Sequence, residues 1–249
     1  MRAFLPLVAL CLAVTACGGS SPSGTSGAID APGADGAGTT PGMLTLSGTA
    51  KEISVSGQTP LTGVMLTAYS AADDSVLGTA TSAADGTFSI TVNAGAAGIT
   101  GYLKATTPGT GQNAYKDSYL YPPATLTANY SGVPVYVLKV STYNLVNGSL
   151  VLNNSQSAQN GWIALLVQDA AGMPVTGATV TSTPLGQINY NSGSLPSTTA
   201  TSTAADGIAY DTNVAAGTVL VSGMKTGTSF VMHSIKVRPD VVTLTLITP

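Results

Sequence analysis

Residues 60–67 read Pro-Leu-Thr-Gly-Val-Met-Leu-Thr, and residues 174–181 read Pro-Val-Thr-Gly-Ala-Thr-Val-Thr. A second pair follows: Ala80-Thr81-Ser82-Ala83-Ala84-Asp85-Gly86, then Ala200-Thr201-Ser202-Thr203-Ala204-Ala205-Asp206-Gly207. The spacing is roughly 115–120 residues, the size of a duplicated domain and far beyond a solenoid unit. The second copy holds about seven extra residues, best placed in 186–197. Each matched piece has a local mechanical reason. In Pro60-x-x-Gly63 and Pro174-x-x-Gly177, proline fixes φ and glycine tolerates φ > 0. Asp85-Gly86 and Asp206-Gly207 stand between alternating segments, a strong hairpin signal. These eight residues are read as structural turns. A calcium site at the two aspartates would need several converging oxygens, and the surrounding residues are mainly small.

Outward from these turns the chain alternates apolar and polar residues. Leu44 to Gly48, Val64 to Tyr69, Phe88 to Val92 and Val133 to Val140 all do so, as half-buried strands do. Trp162 to Val167 is almost continuously apolar and reads as a buried central strand, with Trp162 in the core. The best helical candidate is short, Thr142 to Leu152, and Gly148 weakens it. The expected fold class is all-β: two tandem β-sandwich domains after a signal peptide and a disordered linker. The expected boundaries are 43–140 for the first sandwich, 141–160 for a connector and 161–249 for the second.

The N-terminus has a different character. Residues 1–16 place Arg2 before an apolar run from Phe4 to Val14, the pattern of a secretory signal peptide. The run is shorter than the ~20 residues that span a bilayer. Val14-Thr15-Ala16-Cys17-Gly18 then resembles the lipobox of bacterial lipoproteins. That resemblance implies cleavage before Cys17, acylation of Cys17, and a membrane partner held through that lipid. It also implies export to the cell envelope, and Gly18 after the cysteine favours the outer membrane. Residues 18–42 are rich in Gly, Ser, Ala and Pro and read as a flexible tether. Cys17 would be the only cysteine left after cleavage, so no internal disulfide is expected.

Around both copies, the order of strand, Pro-Leu-Thr-Gly-Val strand and Asp85-Gly86-Thr87-Phe88-Ser89-Ile90 resembles the carboxypeptidase regulatory-like domain, a transthyretin-like sandwich. The resemblance covers about 43–140 and, more loosely, 160–249. It implies an accessory module that stabilises, spaces or presents something else.

Charge and side-chain inventory exclude several classes. Lys and Arg number 8 against 11 Asp and Glu, so there is no basic surplus for nucleic acid. One His (His233) and one Glu (Glu52) cannot supply the ligands of a zinc peptidase. No Gly-x-Ser-x-Gly elbow is present, and His233 lies in an alternating, strand-like run. No catalytic residue, metal or cofactor is therefore expected. Asp73-Asp74 reads as a turn, because neighbours on an extended chain face opposite ways. Seven of the ten tyrosines fall at Tyr102, Tyr115, Tyr119, Tyr121, Tyr130, Tyr136 and Tyr143. Two readings stay open there. The rings pack across strands, or Tyr115, Tyr119 and Tyr121 offer faces to an envelope polysaccharide or a protein partner. The expected role is structural, adhesive or scaffolding, with glycan or peptide binding by the tyrosines as the alternative.

Overall fold

A computed structural model describes residues 42–54, 57–147, 156–193 and 195–249. The expected signal peptide, Cys17, the expected tether up to residue 41 and the second part of the helical candidate lie outside the described residues.

The described chain is all-β. The first half contains β1 (Met43–Ser54), β2 (Gly57–Pro60), β3 (Met65–Ser70), β4 (Val76–Thr81), β5 (Thr87–Asn93), β6 (Gly101–Thr106), β7 (Ser118–Tyr121) and β8 (Tyr130–Leu138). A single turn and a half of helix, α1 (Val140–Leu145), leads on. The second half contains β9 (Asn160–Val167), β10 (Thr179–Thr183), β11 (Gln187–Ser192), β12 (Leu195–Ser197), β13 (Ile208–Ala215), β14 (Gly217–Lys225), β15 (Thr228–Ser229), β16 (His233–Val237) and β17 (Val242–Ile247).

The duplication extends to the pairing. β1 pairs β5 antiparallel and β8 parallel; β9 pairs β13 antiparallel and β17 parallel. β3 leads to β6 and β7; β10 leads to β14 and β16. The matched sequence pieces form one latch, built twice. Ser82 Oγ accepts the Val64 N–H at 3.0 Å and donates to the Leu61 carbonyl at 2.7 Å. Thr203 Oγ1 accepts the Ala178 N–H at 2.9 Å and donates to the Val175 carbonyl at 2.6 Å. Gly86 (φ 78°) and Gly207 (φ 67°) both lie in the left-handed region. A Cβ on either would sit 2.5 Å from a carbonyl oxygen, that of Ala50 or of Val167. Only glycine fits such a close backbone approach.

The two sandwiches are not separate beads. β17 pairs parallel with β9 along one edge and parallel with β7 along the other. This fuses one sheet from each half into a nine-stranded sheet, ordered β12-β11-β13-β9-β17-β7-β6-β3-β4. The remaining strands form two short sheets, one around β1 and one around β14. Alternation along β17 places them on opposite faces of the long sheet. Val242, Leu244 and Leu246 pack with Tyr136 and Leu138 of β8. Ile247 packs with Val219, Val221 and Ile235 of β14 and β16.

The extra residues of the second copy have a clear position. They build β11 and β12, and β11 pairs with β13. In the first copy the strand that follows β3, β4, pairs with β3 itself. The strand that follows the Pro-x-x-Gly strand thus pairs with a non-equivalent strand in each copy.

The latch makes a direct stability prediction. Ser82→Ala or Thr203→Val strands a buried amide and a buried carbonyl, which costs about 1–3 kcal/mol. Thr203→Ser keeps both bonds and should lose less. Urea unfolding of the three variants checks the ranking.

Candidate functional site

The densest cluster of aromatic and charged groups lies where the halves meet. In-register pairing sets Tyr69 opposite Tyr102 on β3 and β6. On β7, Leu120 faces Leu103, which brings Tyr121 beside Tyr102. The Tyr69 and Tyr102 rings stack at 5.2 Å, and the Tyr102 and Tyr121 rings at 5.1 Å. Tyr119 leans against Tyr102 at 5.9 Å. The row continues into the second half, where Thr245 donates to the Tyr121 carbonyl at 3.2 Å.

Arg238, just beyond β16, closes this cluster. Its guanidinium lies 4.5 Å from the Tyr102 ring centre and 4.3 Å from that of Tyr119. It donates to the Tyr121 hydroxyl at 2.8 Å and approaches Asp74 at 3.5 Å. Asp74 also accepts from the Tyr102 hydroxyl at 2.8 Å and from Lys236 Nζ at 2.6 Å. Asp74 sits at φ 56°, a conformation that aspartate tolerates better than most residues. The Lys236 bond, then the Tyr102 bond, hold its carboxyl below the usual range. A second ion pair, Lys116–Asp240, also crosses between the halves.

The sequence-predicted residues fall as follows. Tyr119 and Tyr121 are buried, at 8% and 5% exposure; both lie against Tyr102 and Arg238, and Tyr119 also against Lys104. Their ring faces are thus taken up inside the protein, and the stacking platform expected for a sugar is not formed by these two residues. Tyr115 is half-buried and stands apart. Its hydroxyl donates to Glu52 at 2.6 Å, and Lys139 reaches the same carboxylate at 2.8 Å. Burial alone would raise the Glu52 carboxyl, but the Lys139 and Tyr115 bonds hold it low. Gly63 and Gly177 both adopt φ 75°, with Pro60 closing β2 and Pro174 bridging Gln168. Asp85 accepts the N–H and hydroxyl of Thr87, at 3.0 and 2.6 Å. Asp206 accepts the Ile208 N–H at 3.1 Å and the Asn191 amide. Trp162 is buried, parallel to Tyr210 at 5.5 Å. His233 Nε2 lies 2.6 Å from Thr245 Oγ1 within the second sandwich. Among the described residues no group of His, Cys, Asp and Glu could hold a metal ion.

Arg238, Lys236 and Asp211 escaped the sequence reading, and Asp74 was read there only as a turn residue. Arg238 carried one usable signal: apart from Arg2, it is the chain's sole arginine. Asp211, on β13, is wholly buried. It accepts from the Ser182 hydroxyl and, at 3.4 Å, from the Gly186 N–H, while its other oxygen has no partner. Burial pushes its carboxyl up to about 6 against these two bonds. Chemically, the seam can clamp and orient. It joins a stacked aromatic row to a guanidinium and an ionised carboxylate, and Tyr102 is held protonated by burial and by Asp74.

No family model and no characterised protein matches the chain by sequence. Among solved structures, the shaft pilin spaA from Lactobacillus rhamnosus GG is 13% identical, with 84% of this chain and 98% of that chain covered and a TM-score of 0.28. GBS52, the minor pilin of Streptococcus agalactiae, is 14% identical, with 82% and 95% covered and a TM-score of 0.26. BcpA, the major pilin subunit of Bacillus cereus, is 9% identical, with 83% and 99% covered and a TM-score of 0.24. Superpositions this loose carry neither the fold nor the function of this chain, which rest on its own residues.

Two predictions follow from the charges. Arg238→Lys keeps the positive charge but removes the planar group that stacks on Tyr102 and Tyr119. A loss of about 1–2 kcal/mol is expected in thermal unfolding. Asp211 binds its proton more tightly folded than unfolded, so its burial penalty appears as pH rises from about 4 through about 6. Asp211→Asn should therefore stabilise the protein at pH 7 by on the order of 3 kcal/mol, with the advantage fading by pH 4. The difference between the two unfolding curves is the measurement, since His233 and the other carboxylates contribute equally to both.

Proposed function

We propose that this chain is a non-catalytic, lipid-anchored protein of the cell envelope, whose fused sandwiches act as a stiff structural or adhesive scaffold. The observation that carries the reading is β17. By pairing with both β7 and β9, it makes the sheets of the two halves continuous. Bending such a body at its middle means breaking backbone pairing, where a flexible linker would bend freely. Arg238 and Lys236 from the second half, and Lys116 from the first, brace the same junction. Stiffness suits a spacer or a load-bearing module better than a hinged, substrate-closing one.

The anchor belongs to the same proposal. Val14-Thr15-Ala16-Cys17 supplies the lipobox pattern, and an acylated Cys17 would hold the protein by several acyl chains without a transmembrane helix. With Gly18 behind it, the outer membrane is the proposed site. The tether up to residue 42 would then set the distance between lipid and scaffold, on the order of 25–30 Å root-mean-square. The resemblance of each half to a carboxypeptidase regulatory-like module fits an accessory role of this kind.

The anchor is testable by fractionation. The native chain should partition with membranes and take up a labelled fatty acid. Cys17→Ala should lose the label and leave the mature body soluble once the leader is removed. A native chain that takes up no label, or a Cys17→Ala chain that stays in membranes after processing, would overturn it.

A further inference from the structure

The duplication shows a slot that one copy fills and the other leaves empty. In the first copy, β3 is flanked by β6 on one edge and β4 on the other. In the second copy the equivalent strand, β10, pairs among the described residues only with β14, while the strand that follows it, β11, pairs with β13. The open edge has a definite hydrogen-bonding phase. The Val180 N–H is taken by the Tyr190 hydroxyl at 3.0 Å, so it points away from β14. By the alternation of antiparallel strands, Ser182 turns its N–H and carbonyl the same way. Just before it, Ala178 is latched to Thr203, which marks where the open stretch ends. The strand itself, Thr-Val-Thr-Ser-Thr, has none of the charged or proline residues that usually protect an edge.

We infer that this edge is a self-association site, at which β10 of a second copy of the chain pairs antiparallel with β10. The first copy shows what the slot accepts. There β4 sets Thr81 opposite Met65, Ala80 opposite Leu66 and Thr79 opposite Thr67, a Thr-small-Thr pattern. Met65, Leu66 and Thr67 correspond to Thr179, Val180 and Thr181 of the second copy. Antiparallel pairing about a two-fold axis at Thr181 sets the second copy's Thr183, Ser182 and Thr181 opposite those three. The pattern is again Thr-small-Thr. In this register Val180 faces the second copy's Ser182 as a hydrogen-bonded pair, once on each side of the axis, and Thr181 meets its own copy as a threonine pair. Tyr190 gives up its bond to Val180 in exchange. Pro184 ends each strand before it would meet the Thr203 latch. The contact is isologous and closes as a dimer.

Sedimentation velocity of the full chain in mild detergent tests this. The wild type should dimerise with rising concentration. Thr181→Lys and Thr181→Glu each place like charges opposite one another on the axis and should be monomeric. Because Thr181 is exposed, neither should disturb the monomer fold. Mixed one to one, the two variants should pair again, which a merely misfolded variant would not do. A wild type that stays monomeric at about 1 mM, a Thr181→Lys chain that dimerises like the wild type, or a mixture that does not regain dimers would each overturn the inference. None of these outcomes depends on Cys17, so the anchor and the dimer fail or stand separately.

Discussion

The parallel pairing of β17 with β7 and β9 is the constraint on which this molecule depends. Each half supplies its own short sheet and its own apolar core. Neither half closes its share of the long sheet without β17, whose six residues are all buried. Parallel strands buried on both faces read as continuous apolar runs, and β9 fits that description. β17 fits it only in part, since Thr243 and Thr245 sit among its leucines. Thr245 shows why. Its hydroxyl serves both His233 and the Tyr121 carbonyl, so a polar atom inside the sheet links the halves.

Charge is scarce in this chain, and much of it is spent at that junction. Asp74 meets Lys236 and Arg238, and Lys116 meets Asp240. Isolated surface ion pairs contribute little. Here the guanidinium is mostly covered by two rings and bonded to a tyrosine hydroxyl, so stacking and hydrogen bonding add to Coulomb attraction. The remaining solvent face is carried largely by Thr, Ser and Asn.

Much of the local architecture was legible in the sequence, because turns demand particular residues. Gly63, Gly86, Gly177 and Gly207 all lie at positive φ, and the repeat that contains them predicted a duplicated sandwich. The runs that hold Ser82 and Thr203 were visible as a match, although the latch they form was not. The fusion of the halves left no local mark, since β7 and β17 are more than a hundred residues apart. The same distance explains the tyrosines. Composition and strand pattern left both readings of Tyr119 and Tyr121 open, because their burial is decided by Arg238, far along the chain. The pairing of β11 with β13 is likewise a tertiary outcome. Its sequence trace was only a few extra residues.

The position of β17 also orders events in time. It follows both of the strands it joins, so it is synthesised after β7 and after β9. Until residues 242–247 are present, β7 and β9 each face solvent along an unpaired edge. The long sheet therefore stays in two parts until the strand that joins them has been made.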